Sequence, residues 1–241
     1  MANMNGIGEV YTYRKQEKVN KGFGFIDPTK VFYKADENGK IIIDGVKCSI
    51  TKEYNEPNTV IIGNKVYHYV EINGLTWLQE NLDLPANDNN YRYLNNDEST
   101  YGPNGLDLGL MYNYNGVDYL ENNKSTLFPG WHVATRTEIE NLVTFCGGYN
   151  TNGAGTKLKT VDEWTANEGS DVYDFHARPA GWMSSSTTVY KGYGEFIVYW
   201  DTYTENNKRH GIQLSNGHTQ ITNGLYGTAF FSYVRLVKDH D

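Results

Sequence analysis

Along most of this chain apolar and polar residues alternate in short runs, and each run ends in a cluster of Gly, Pro, Asn or Asp. A period of two bounded by turn residues predicts strands. In the first quarter of the chain the predicted strands are 9–13, 22–26, 30–34, 41–43, 47–51 and 59–62. Turns fall at Asp27-Pro28, Glu37-Asn38-Gly39 and Asp44-Gly45. The boundary is placed near residues 62–66, dividing a small all-β domain (1–63) from a second domain (64–241). The second domain opens with 65–72, whose alternation suits an edge strand. Further strands are predicted at 195–200, 208–214, 218–222 and 232–237.

One segment has the other period. Thr135 with Glu138 three residues on reads as a capping box, and Ile139, Leu142, Val143 and Cys146 then recur at helical spacing. Gly147-Gly148 supplies the stop, giving a helix over 135–146. Just before it, Pro129-Gly130 makes a sharp corner and Trp131 offers a large apolar face to a core. Residues 87–123 hold ten Asn, at 87, 89, 90, 95, 96, 104, 113, 115, 122 and 123, and are predicted to be extended loops. No solenoid-length repeat is present.

Composition favours strands and loops over helix bundles: 25 Gly and 20 Tyr stand among 241 residues. Net charge is −8, carried by the second domain, since residues 1–60 hold nine basic against eight acidic side chains. An acidic domain does not suit nucleic acid, whose phosphates need Lys and Arg. No stretch has the apolar length of a membrane-spanning helix, and residues 1–6 lack a basic and apolar leader pattern, so no signal peptide is expected. Cys48 and Cys146 fall in different predicted domains and give no disulfide framework.

Ordered blocks carry a resemblance. Pro129-Gly130-Trp131-His132 followed by Thr135-x-x-Glu138 is similar to the Fibrobacter succinogenes major paralogous domain, a bacterial extracellular module grouped with C-type lectin-like folds. Blocks in the same order are Ile72 to Leu82, Gly109 to Tyr114, Leu158-Lys159 with Trp164, Phe175 to Gly181, Tyr199-Trp200 and Tyr233 to Asp239. The resemblance covers about 66–240 and implies an α+β, C-type lectin-like domain. The family usually has Cys where Phe128 and Leu236 stand here. If those positions pair in secreted relatives, their joint replacement implies assembly away from an oxidising compartment. Over about 6–62, Lys21-Gly22-Phe23-Gly24-Phe25-Ile26 and Val31-Phe32-Tyr33-Lys34 are similar to the paired motifs of cold-shock domains, small OB barrels. Phe23, Phe25 and Phe32 are therefore a candidate nucleic-acid or docking face. The near-neutral charge favours docking.

Candidate chemistry is weighed against structural roles. Trp77, Trp131 and Arg235 are assigned to the core. Trp182, Tyr190, Tyr193, Trp200 and Tyr203, interleaved with Ser, Gly and Asn, have the composition of a recognition surface. The later Asn206, Asn207, Arg209, Asn216 and Tyr226 complete a candidate ligand set, by analogy with the late loops of variable lectin-like proteins. Calcium could sit among Asp88, Asp97, Glu98 and Asp107, although no EF-hand spacing is present and clustered Asx residues usually form loops. Glu56-Pro57-Asn58 spells a lectin calcium tripeptide, but at the wrong place in the chain. Asp171 and Asp174 could act as a glycosidase pair, yet nothing in the sequence places them across a cleft. The six His lack zinc spacing, and no catalytic elbow, P-loop or Rossmann glycine pattern occurs. No catalytic residue, metal or cofactor is expected.

The reading is an OB-like barrel followed by a lectin-like α+β domain that binds a glycan or a cell-surface protein without catalysis. A phage virion component, oligomeric and docked through its first domain, is the leading expectation. A secreted or surface-anchored adhesin and a single-stranded nucleic-acid binder are the alternatives.

Overall fold

The computed structural model describes residues 58–239 except 88, 104, 167 and 186–188. For 40–43, 46–49 and 189 it describes the backbone alone. The chain divides into two compact units, Met1–Pro57 and Asn58–Asp241. In the first, strands β1 (Lys40–Ile43) and β2 (Val46–Ser49) form an antiparallel hairpin with Ile43 opposite Val46. Phe23, Phe25 and Phe32, and with them the OB-like expectation, lie outside the described residues.

The second unit is mostly strand, and this corrects the α+β, C-type lectin-like expectation. Strand makes up 37% of the structure against 19% helix, with a curled sheet. Among the described residues the longest helix has 11 residues, and the helices form no continuous layer. The physical reason is the density of tight turns: Asn73-Gly74 and Asn206-Asn207, all at positive φ, return the chain into hairpins, and Gly147 at φ 125° ends the longest helix.

Strands β3 (Thr59–Ile62), β4 (Lys65–Ile72), β5 (Leu75–Leu78), β8 (Trp131–Val133) and β15 (Leu236–Lys238) form a five-stranded sheet in the order β3-β4-β5-β15-β8. The strand at 59–62 thus pairs within the second unit, and β4, expected at an edge, has a neighbour on each side. Asn73-Gly74, with φ of 52° and 76°, is the two-residue connection that sets Ile72 opposite Leu75. Strands β11 (Phe196–Glu205), β12 (Lys208–Ser215) and β13 (Thr222–Gly227) form a three-stranded meander. Strands β9 (Ala180–Ser184), β10 (Val189–Tyr193) and β14 (Phe230–Phe231) form a second three-stranded sheet, a β9–β10 hairpin with β14 added beside β9, in the order β10-β9-β14. A two-stranded pair, β6 (Tyr91–Arg92) and β7 (Met111–Tyr112), completes the strands.

Among the helices, α1 spans Glu98–Tyr101, α2 Tyr114–Asn122, α3 Lys124–Leu127 and α4 Arg136–Cys146. The last opens on the capping box that Thr135 and Glu138 predict. The others fall in and just after the Asn-rich segment expected to be loop. There Asn113 acts as an N-cap, its side chain accepting from Gly116 N, and Val117 and Leu120 bury one face of α2. Asn that reads as loop former is here a helix starter. The strand expected at 218–222 instead begins at Thr222, because the Thr219 and Ile221 carbonyls accept from Gly155 and Asn150 rather than from a sheet partner.

Trp77, Trp131 and Arg235 are all core residues. Pro129-Gly130 turns the chain with Gly130 at φ 81°, closed by Trp131 N donating to Phe128 O. Phe128 and Leu236, where the family usually has cysteines, lie in one hydrophobic cluster and fill that place with apolar contact. Cys146 is buried and free. Arg235 is the principal polar element of the core. Its five N–H groups reach Asn81 Oδ1, the Leu78, Phe175 and His176 carbonyls and the Tyr199 hydroxyl, so no donor is left unpaired.

Candidate ligand groove

A groove of about 460 Å³ opens where the β9–β10 hairpin meets the start of β11 and the end of β12. One part of its lining is aromatic. Trp182 sits opposite Lys191 in the hairpin, and Phe196 begins β11 opposite Ser215. Gly192 lies between them at φ 77°, and a Cβ there would stand 2.7 Å from Phe196 Cβ. Only glycine lets Phe196 close on Trp182, whose ring centroids are 6.4 Å apart.

The other part is polar: Ser215, Asn216 and His218, with Lys191 and Glu195 completing the lining. The turn that carries them is tied down on several sides. Asn216 N donates to Glu195 O at 2.6 Å, and Asn216 Oδ1 accepts from Ala166 N at 2.7 Å. Beneath it, Lys159 is fully buried and donates to the Ser215 and His218 carbonyls, each at 2.7 Å, while pairing with Glu168. Burial pushes the Lys159 pKa down, against the opposing pull of Glu168. A smaller recess of about 120 Å³, lined by Gln213, Gln220 and Thr222, shares Ser215 and His218 with the groove. The groove thus has an aromatic end and a hydrogen-bonding end.

Of the ten predicted ligand residues, Trp182 and Asn216 line this groove. Trp200 and Arg209 are each 1% exposed, which removes them from any contact surface. Trp200 Nε1 donates to Tyr112 O, and Arg209 pairs with Asp118 beside the Tyr114 ring. Tyr190 is partly buried and packs against the core cluster that contains Trp77, Met183 and Tyr233. Tyr226 stacks on Phe230 at 4.6 Å, and its hydroxyl donates to Gln213 at 3.0 Å. Burial pushes its pKa up to about 12. Tyr193 is half exposed and meets Tyr101 edge-on, while Tyr203 lies under the Arg136 guanidinium. Asn206 and Asn207 are the two turn residues between β11 and β12, at φ 50° and 58°. Phe196, Ser215 and His218 also line the groove and lie outside the residues that the sequence pattern singles out. Phe196 directly follows the Gly194-Glu195 turn that leads from β10 into β11.

Trp182 also stacks on Phe230 at 5.0 Å. The pile Trp182–Phe230–Tyr226 therefore uses most of its ring faces internally, with Trp200 edge-on beneath.

Among the described residues, the suggested calcium ligands Asp97, Glu98 and Asp107 form no metal-ligand cluster. Asp97 caps α1 through Thr100 N, Asp107 pairs with Lys65, and Asp88 lies outside the described residues. Likewise only Asn58 of Glu56-Pro57-Asn58 is described, in a turn at φ 64°.

No curated protein and no solved structure matches this chain. The Fibrobacter succinogenes major domain model matches residues 70–238, which include the groove and every strand from β5 to β15, and the chain therefore belongs to the Fibrobacter succinogenes major domain family.

Proposed function

We propose that the second unit is a non-catalytic recognition domain that binds a glycan in the groove bounded by Trp182 and Phe196 on one part and Ser215, Asn216 and His218 on the other. The carrying observation is the continuity of an aromatic lining with a polar one on a turn fixed from below by a buried lysine. A sugar ring has apolar C–H faces and hydroxyls around its edge, so it matches a surface that offers ring carbon and hydrogen-bonding groups side by side. The volume is within the range of small-molecule sites. Fixing the turn before binding limits the ordering cost on association.

The test is a glycan array probed with the intact chain, followed by titration of the leading hit against Trp182→Ala and Ser215→Ala. We expect at least tenfold weaker binding for Trp182→Ala, with an unchanged circular dichroism spectrum. An array without specific hits, or a hit that Trp182→Ala binds equally well, would overturn the reading.

A further inference from the structure

A second cluster lies outside the groove, in the loop before β9. Asp171, Asp174 and His176 each offer one ligand atom within 4.8 Å of the other two, and Asp171 Oδ2 stands 3.3 Å from His176 Nε2. Among the described residues no other group of three acidic, His or Cys side chains converges in this way.

Asp171 makes this more than a chance meeting of surface charges. Its side chain is 8% exposed, and a carboxylate that deep needs compensation. Oδ1 accepts from His176 N at 3.0 Å. Oδ2 meets no hydrogen-bond donor outside the cluster among the described residues. Arg235 is the nearby permanent cation, but its five N–H groups are already committed to other acceptors. The Asp174 carboxylate is exposed and is held by no ion pair or hydrogen bond among the described residues. Two carboxylates are thus held together with one imidazole and no hydrogen-bonded Lys or Arg.

The loop is also rigidly mounted. Arg235 takes the Phe175 and His176 carbonyls, and Gln79 Nε2 donates to the Asp174 carbonyl at 2.9 Å. The backbone that carries all three side chains is therefore anchored to the core from behind, which is how a metal site is kept in geometry.

We propose that Asp171, Asp174 and His176 bind a divalent first-row transition-metal ion, Zn²⁺ or Mn²⁺, through two carboxylate oxygens and one imidazole nitrogen. Water completes the coordination sphere. One nitrogen and two oxygens suit these ions. Ca²⁺ wants six to eight oxygens, more than this loop offers.

The experiment is isothermal titration of the intact, tag-free chain with MnCl₂ and with ZnCl₂, alongside CaCl₂, paired with the Mn²⁺ electron paramagnetic resonance spectrum. Asp174→Asn and His176→Ala are the variants. Both side chains are exposed, that of His176 to 46%, and neither is part of the buried core, so circular dichroism should be unchanged. We expect one Mn²⁺ per chain, displaced by Zn²⁺, at least tenfold weaker binding in each variant, and little response to CaCl₂. No saturable binding of either ion below about 1 mM overturns the proposal. Equal binding by both variants and the parent chain, or a preference for Ca²⁺, overturns it as well. The readout is independent of glycan binding, so either reading can fail alone.

Discussion

Lys159, fully buried, donates from Nζ to the Ser215 carbonyl at 2.7 Å, so a single cation from the loop after α4 holds the floor of the groove. The same ammonium reaches His218 O and Glu168 and lies 4.4 Å from the Trp164 ring centre. Removing it would leave two carbonyls and a largely buried carboxylate without their donor. Lys159→Met should therefore cost about 3–5 kcal/mol in urea unfolding. Adding Glu168→Gln should recover part of that loss, because the stranded charge goes with it. A double variant as unstable as the sum of the two single ones would show that the pair is not coupled.

His132, from the Pro-Gly-Trp-His corner, is a clamp. Its Nδ1 is 2.6 Å from Asp239 Oδ1, and its Nε2 is 2.9 Å from the Glu138 carboxylate that also closes the capping box. Burial alone would push the imidazole pKa down, but the bonds to Glu138 and Asp239 outweigh it and the value is raised above 6.5. Burial would likewise raise Glu138, but His132 and Thr135 bring it below 4.5. The imidazole's contribution is complete below 6.5 and fades as pH rises through its higher folded value. The carboxylate's is complete above 4.5 and fades as pH falls through its lower folded value. The clamp is thus strongest between pH 4.5 and 6.5. His132→Gln should lose about 1–2 kcal/mol at pH 6 and markedly less at pH 9. An equal loss at both pH values would mean that the imidazole is not charged in the fold.

Two glycines at positive φ separate backbone strain from steric overlap. Gly130 has φ 81° with nothing near a prospective Cβ, whereas Gly192 has φ 77° and Phe196 Cβ at 2.7 Å. Gly130→Ala should cost about 1–2 kcal/mol from conformation alone. Gly192→Ala should cost more, because it also forces Phe196 off Trp182, and it alone should weaken binding of a glycan hit. Equal thermal shifts in the two variants would show that the groove wall yields freely.

The parts of this fold legible from sequence are those fixed by neighbours in the chain. Thr135 and Glu138 are three residues apart, so their capping box can be read directly, and Pro129-Gly130 likewise names its own turn. Asn113 misled because the same amide chemistry that forms loops also caps helices, and burial of Val117 and Leu120 decides between them. Trp182 and Asn216 could be picked out by type, but their meeting depends on the packing of β9, β11 and β12. Trp200 and Arg209 look like binding residues in sequence. They are buried because Trp200 finds the Tyr112 carbonyl and Arg209 finds Asp118, contacts across about ninety residues of chain that no local pattern shows.

Asn206 and Asn207 have a backbone reason for being Asn. They join Glu205 to Lys208 by a two-residue turn, both at positive φ, which is the conformation in which Asn followed by Gly is favoured. Their amides are exposed, but their reason for being Asn is the backbone. Asn207→Gly should therefore stabilise the unit by about 0.5–1 kcal/mol, since glycine removes the left-handed penalty at that position. Asn207→Val should destabilise it by a larger amount, because a β-branched residue resists positive φ. Neither change should alter glycan affinity, as neither position lines the groove. Thermal unfolding of the two variants beside a titration with the array hit checks both halves. A tenfold loss of affinity in Asn207→Gly, with stability unchanged, would return this turn to the ligand surface.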